Sequence, residues 1–232
     1  AKVNVCTDDT ANLTLPSTAV QHKFSGPHPA GNAGTHIHFV DPVSATKTAW
    51  TINYQEVIRI GKLFTTGELD NSLVIAVGGP AVKNPRLVRT MLGASVENLL
   101  ANELVDGLTV RAISGSVFGG RTARGPIAWL GRFSQQISVL EEGTKRELLG
   151  WLSPGTKKFS KLNVYISRIM SGVKQDFTTT TNGSERAMVP VGTYEEVMPL
   201  DILPTQLLRS LIVGDTETAQ KLGCLELDEE DL

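Results

Sequence analysis

The chain has few cysteines, little net charge and no long apolar run. Its two cysteines, Cys6 and Cys224, stand at opposite ends, which argues against a disulfide framework and suits a reducing compartment. No uninterrupted apolar stretch reaches the roughly 20 residues needed to span a bilayer. The net charge is −2, so the chain lacks the excess of basic residues that is typical of a nucleic-acid-binding protein.

The composition is that of a globular protein. Hydrophobic residues make up 41% and charged residues 20% of 232 positions, so the chain can bury a core and is not disordered. This length fits one large domain or two to three small ones.

The first segment, residues 1–82, has the pattern of an α/β layer. Strands are predicted at Val3–Cys6 and Ala19–Phe24, and a helix at Tyr54–Phe64, where apolar residues recur at helical spacing. The continuous apolar run Leu73–Val77, closed by Gly78-Gly79-Pro80, is typical of a buried strand. Helices alternating with buried strands predict a parallel or mixed sheet.

The second segment, residues 83–142, has a small β-grasp pattern. We predict strands at Arg86–Thr90, Leu108–Ile113 and Gln136–Leu140, and a short helix within Ser95–Glu103. A glycine-rich turn at Gly115–Arg121 separates the last two strands.

The third segment, residues 143–232, is predicted to be a small helical bundle. Its four helices are expected at Lys145–Leu152, Lys161–Val173, Thr205–Ile212 and Thr216–Lys221. Asp215 and Gly223 have the residue types of helix start and stop signals.

All four histidines lie in the first 38 residues. His28, His36 and His38, with Asp41, are residue types that bind zinc or iron. On a strand, His36 and His38 would share a face and chelate one ion; on a helix they would point about 200° apart and could not. The stretch Gly31–Asp41 is compatible with either, and the alternatives to a metal are a surface or subunit contact and a ligand contact.

The sequence contains no recognisable catalytic machinery. Gly78-Gly79-Pro80 and Gly119-Gly120-Arg121 match no nucleotide-binding motif and are interpreted as tight turns. No arrangement for nucleophilic catalysis is recognisable. We therefore predict no catalytic residue, no cofactor-binding residue and no metal ligand.

The last third has the frame of an iron–sulfur domain without its ligands. Pro199, Leu203 and Pro204 stand where a Cys-Pro-x-x-x-Leu-Pro ending has its proline and leucine positions, but the cysteine position holds Met198. A cluster needs about four thiolates, and Cys224 is the lone thiol of this half. This part of the chain is predicted to hold no cluster.

Five motifs along the whole chain resemble one family, the A subunit of the sodium-translocating NADH:quinone oxidoreductase. They are His22–Gly31 (HKFSGPHPAG), Gly34–Val43 (GTHIHFVDPV), Thr51–Val57 with Gly61–Phe64, Met198–Thr205 (MPLDILPT) and Gly223–Leu232. The long histidine-containing motif is highly specific. The resemblance implies that the chain corresponds to the C-terminal half of that subunit. The family is related to the C subunit of the Rnf complex and to the NADH-binding subunit of complex I.

The resemblance implies three domains: the C-terminal part of a Rossmann-like domain at 1–82, a β-grasp domain of the soluble-ligand-binding type at 83–142, and a helical domain resembling an iron–sulfur domain at 143–232. It also implies a peripheral subunit on the cytoplasmic side of the bacterial inner membrane, within a respiratory complex that couples NADH oxidation by ubiquinone to sodium export. Flavins (FMN and FAD) and iron–sulfur centres would belong to other subunits, so the chain alone is expected to be inactive.

The subunit is expected to help bind ubiquinone and assemble the complex, without redox chemistry of its own. The loop Pro27–Asn32 with His28, His36 and His38, beside Phe24, Phe39 and Trp50, is the candidate for ubiquinone binding or for subunit contact. Two alternatives stay open: a scaffold module without a ligand, and a metal-dependent hydrolase built on the three histidines and Asp41.

Overall fold

The computed structural model describes residues 2–145, 149–156, 158–159, 164–170, 175–184 and 187–231. The chain forms two compact units, one made of Ala1–Glu56 with Arg186–Leu232 and the other of Val57–Glu185. The domain boundaries at 82 and 142 stay a prediction.

The first unit contains a two-stranded parallel sheet. Strand β1 (Val3–Thr7) pairs with β2 (Ala19–Lys23) in a register that places Val3 opposite Ala19 and Thr7 opposite Lys23. Both strands are where the sequence predicts them. In the loop that joins them, the Asp8 carboxylate accepts hydrogen bonds from the backbone amides of Thr10 and Ala11.

Helix α1 (Ala33–Val40) carries His36 and His38, so the undecided stretch is helical. Asn32 is the extended N-cap residue, and its carbonyl accepts from the His36 amide at 3.1 Å. The helix ends at Asp41 because the following Pro42 disfavours the helical conformation in the residue before it.

The described residues at the C-terminal end of the first unit form three α-helices: α4 (Thr193–Val197), α5 (Pro204–Val213) and α6 (Thr216–Lys221). Helix α5 starts with Pro204. An amide at this first position would have no acceptor within the helix, so the missing N–H of proline costs no hydrogen bond. The helix ends at Gly214 with φ 73°, the left-handed conformation that glycine adopts without strain. The Asp215 carboxylate accepts from the Thr218 amide at 3.0 Å and caps α6. Leu200, Leu207 and Ala219 are buried here.

The second unit contains a five-stranded mixed sheet in the order β4-β3-β7-β5-β6. The strands are β3 (Ser72–Gly78), β4 (Arg86–Met91), β5 (Val110–Ser114), β6 (Arg121–Thr122) and β7 (Gln136–Glu141). Strands β3 and β4 form an antiparallel hairpin, while β7 runs parallel to β3 and antiparallel to β5. This is a β-grasp arrangement, as predicted.

The position of β3 corrects one element of the sequence analysis. The run Leu73–Val77 was expected in the first α/β layer, but it pairs on both sides with strands of the β-grasp sheet. Alternate residues of β3 are buried, and they pack in one core with Val96, Ile137 and Val139. The sheet is stable because β3 contributes a fully apolar face to it.

The other α-helices in the described part of the chain are α2 (Tyr54–Thr66) and α3 (Val96–Leu99). The boundary between the two units falls within α2. The Asn53 side chain accepts from the Glu56 amide at 3.0 Å, and Gly67, at φ 75°, ends the helix. Helix α3 is capped by Ser95, whose hydroxyl accepts from the Asn98 amide.

The predicted helical bundle at 143–232 is not confirmed. Residues 146–148, 161–163 and 171–174 lie outside the described part of the chain. In the described remainder of the helices expected at Lys145–Leu152 and Lys161–Val173, there are 3-10 turns at Gly150–Leu152 and Ile166–Arg168. Leu149, with φ 54°, interrupts any α-helix at that point.

Candidate functional site

His36 is held against the loop that precedes its helix. Its Nε2 lies 2.8 Å from the carbonyl oxygen of Ala30, so Nε2 carries a hydrogen and donates it. The imidazole also packs on the Phe24 ring, with centroids 4.2 Å apart. The structure thus brings together the predicted loop, Phe24 and His36.

His38 is held by the C-terminal part of the same unit. Its Nε2 accepts from the Asp201 amide at 3.2 Å, and its Nδ1 lies 2.8 Å from Oε2 of Glu226. An imidazole nitrogen that accepts from an amide carries no hydrogen, so Nδ1 is the protonated nitrogen and donates to the carboxylate. Both nitrogens of His38 therefore have structural partners.

His28 and Asp41 lie apart from these contacts. His28 is exposed on the loop before α1. Asp41 forms an ion pair with Lys47, and hydrogen bonding from Lys47 lowers the pKa of this carboxyl below its usual value. Asp41 thus stays ionised at neutral pH in a surface pair.

The helical geometry separates His36 and His38. One imidazole contacts Ala30 and the other contacts Asp201 and Glu226, as two residues two positions apart on a helix should. Among the residues described, no group of three or more histidine, cysteine or acidic residues is placed to hold a metal ion. The hydrolase alternative has no support in this arrangement.

The aromatic residues expected beside the histidines do not enclose a groove. Phe39 touches the edge of the His38 ring at 5.0 Å between centroids, but most of Phe39 is exposed. Trp50 is 93% exposed. Of the three aromatic candidates, Phe24 alone packs on His36.

Sequence reasoning missed the role of the acidic C-terminal segment. Glu226 binds His38, and Asp231 lies so close to Gly34 that a Cβ there would overlap its carboxylate. Gly34 thus allows the C-terminal 3-10 turn (Glu229–Asp231) to approach α1. The pairing of α1 with residues about 190 positions later had no local signal in the sequence.

Both cysteines are free, and they lie in different elements of the first unit. Cys6 is in β1 and Cys224 begins a 3-10 turn. Burial raises the pKa of the Cys6 thiol, which reduces its thiolate fraction and its reactivity. Met198 follows α4 directly, as its C-cap residue.

The glycine pairs are packed as turns. Gly79 has φ 122° and lies against the backbone of Val139, and Gly120 lies against Ser116 and Gly115. Within the ranges described, no helix is both long and apolar enough to cross a bilayer.

Comparison with known proteins gives matches over the chain. Residues 1–69 match the family model "NqrA second alpha/beta domain", and residues 74–125 match "NQRA C-terminal domain". Three similar proteins bear the name of the A subunit of Na(+)-translocating NADH-quinone reductase. That of Hahella chejuensis is 64% identical, that of Pseudomonas aeruginosa 60% and that of Pasteurella multocida 58%. Each match covers 100% of this chain and 52% of the relative, so the chain spans about half the length of these relatives.

Proposed function

The chain belongs to the family of the A subunit of Na(+)-translocating NADH-quinone reductase, and we propose that it acts as part of such a peripheral subunit. In this role it helps to bind ubiquinone and to assemble the complex, on the cytoplasmic side of the bacterial inner membrane. Its partners are the other subunits of the complex, including the membrane subunits. NADH oxidation, the flavins, the iron–sulfur centre and the sodium path belong to these other subunits. The observation that carries the proposal is 64% identity over the whole chain.

The proposed subunit performs no redox chemistry itself. A cluster requires about four protein ligands, whereas Cys6 and Cys224 are the only cysteines of the sequence and sit in β1 and in a C-terminal turn. We expect the purified chain to contain neither iron nor stoichiometric zinc. Visible thiolate–iron absorption bands, or metal found by elemental analysis, would contradict this part of the proposal.

The contacts of α1 favour a structural role for two of the three histidines. His36 and His38 use their ring nitrogens on Ala30, Asp201 and Glu226, and a histidine that fixes its own chain is poorly placed to bind a quinone carbonyl. Because His28 is exposed on the loop before α1, it is the histidine that we propose for a hydrogen bond to ubiquinone or to a neighbouring subunit. A quinone site would also need an apolar groove around it.

The test is a pair of substitutions in the intact complex. If His28 binds the quinone, His28→Ala raises the quinone KM while assembly stays normal, because a lost hydrogen bond costs about 1–3 kcal/mol of affinity. His36→Ala, a matched histidine turned towards Ala30, should lower the yield of assembled complex and leave KM unchanged.

The second candidate, a scaffold without a ligand, is favoured by the same internal contacts of α1. Saturable binding of a ubiquinone analogue to the purified chain, followed by calorimetry, separates the two functions. Absence of binding at micromolar quinone, together with normal assembly and KM in His28→Ala, would leave the scaffold function.

A further inference from the structure

Three loops of the β-grasp unit meet at one end of its sheet. They are the β5–β6 hairpin loop (Gly115–Gly120), the 3-10 turn Gly125–Ile127 with the residues up to Trp129, and the turn from Gly131 to Gln135 before β7. We call these three segments the loop cluster.

Hydrogen bonds fix the loop cluster to the sheet. The Arg121 guanidinium donates to the carbonyl oxygens of Ile127 at 3.1 Å and Trp129 at 3.0 Å. The buried Ser114 hydroxyl donates to Ser134 Oγ at 3.1 Å and accepts from the Gly131 amide at 2.8 Å. These hydrogen bonds connect the three loops to one another and to the sheet.

The outer side chains of the loop cluster are large and apolar. Phe118 is 71% exposed, Phe133 80% and Trp129 53%, and about half of Val117 and of Ile127 is also exposed. Single exposed apolar residues are ordinary, but a group of them on adjoining loops marks a contact surface.

The stretch of sequence that forms the loop cluster carries positive charges and no negative ones. From Gly107 to Leu140 the sequence contains four arginines and neither aspartate nor glutamate. Arg111 is paired with Glu142, and Arg124 also acts on that carboxylate. Arg132 belongs to the loop cluster and Arg121 borders it, and the Arg132 guanidinium lies 5.5 Å from the centre of the Phe133 ring.

We propose that the loop cluster docks on the surface of a bilayer that contains anionic lipids. Tryptophan and phenylalanine partition to the boundary between headgroups and acyl chains, and arginine binds lipid phosphates while attracted by the negative surface potential. Exposed apolar side chains on these loops, beside arginines and without acidic residues in the same stretch of sequence, match this occupant in both polarity and charge. The proposal rests on the membrane-face location proposed above and adds the surface that contacts the lipid.

The test is binding of the 232-residue chain to vesicles in a cosedimentation assay. Vesicles of phosphatidylglycerol and phosphatidylethanolamine should bind the chain, and phosphatidylcholine vesicles should bind it weakly. Added salt should reduce the binding, since it screens the surface charge. Phe118→Ser and Phe133→Ser should each weaken binding by about tenfold, from lost apolar burial, and Arg132→Gln by about fivefold, from one lost cation.

The control variant is Leu87→Ser, which removes a side chain of 72% exposure from β4, at the opposite edge of the same sheet. It should bind vesicles like the unchanged chain, and circular dichroism should show that all variants are folded.

Failure of the chain to bind anionic vesicles overturns the proposal, as does undiminished binding of the Phe118→Ser/Phe133→Ser double variant. If that double variant instead impairs assembly while the unchanged chain binds no vesicles, the occupant is a protein subunit. Neither result alters the quinone KM test of His28, so the two proposals fail separately.

Discussion

Glu226 and His38 stand 188 positions apart in the sequence, yet Oε2 of one lies 2.8 Å from Nδ1 of the other. The other ring nitrogen of His38 accepts from the Asp201 amide. One imidazole thus joins helix α1 to two separate points of the C-terminal part of the first unit. The histidine-containing motif that most strongly indicates the family is, at this residue, part of the internal framework.

We expect His38→Ala to lower the free energy of unfolding by about 1–3 kcal/mol, because it leaves Asp201 and Glu226 without their partner. Urea denaturation measures the change. A double-mutant cycle with Glu226→Ala should show coupling, whereas the exposed pair of Glu217 and Lys221 should give about 0.5 kcal/mol or less. Equal coupling in both pairs would contradict a structural role for His38.

The adjacent glycines Gly78 and Gly79 should respond differently to alanine. At Gly79, φ is 122° and a Cβ would overlap the Val139 backbone, whereas a Cβ at Gly78 meets no atom within 4 Å. Gly79→Ala should therefore lower the free energy of unfolding by about 1–3 kcal/mol through backbone strain, and Gly78→Ala should lower it much less. Thermal unfolding of the two variants checks this, and similar melting temperatures would disprove the close approach to Val139.

Stability of the second unit should fall in acid partly through Asp70. The Asp70 carboxylate accepts from the Ser72 amide at 2.8 Å and from Lys62 at 2.9 Å, and these bonds hold its pKa well below the usual 3.8. Because the folded pKa is lowered, this contribution to stability is present above about pH 4 and is lost as the pH falls further towards the folded value. Asp70→Asn should be less stable at neutral pH and show a shallower loss of stability below about pH 4, as measured by urea denaturation at several pH values.

Limited proteolysis should open the first unit at the loop between β1 and β2. Leu13 is half exposed there, in a stretch without helix or strand, and thermolysin cleaves before such residues. Leu13→Ser should slow that cleavage without changing the rest of the digest. Early cleavage between Arg86 and Ile113 would instead indicate that the β-grasp sheet is not the stable part of the chain.

Local sequence patterns determined the elements whose stability is largely local. The periodicity of α2, the helical pattern of Thr205–Ile212 within α5, the short strand patterns of β1 and β2, and the apolar run of β3 all predicted structure at the observed positions. Each of these signals comes from backbone preferences and side-chain spacing within one element. The motif resemblance likewise identified the family from the chain alone.

Tertiary structure decided the rest, because the deciding partners lie far along the chain. The run Leu73–Val77 is typical of a buried strand, but only pairing with β4 and β7 places it in the β-grasp sheet. The sequence of Gly31–Asp41 is compatible with a helix or a strand. The contacts of His36 and His38 depend on the helical form of α1 and on its packing against Ala30, Asp201 and Glu226. The sequence specifies the side chains and their spacing along each element. The distant group to which a histidine binds is decided by the packing that brings the two within hydrogen-bond distance.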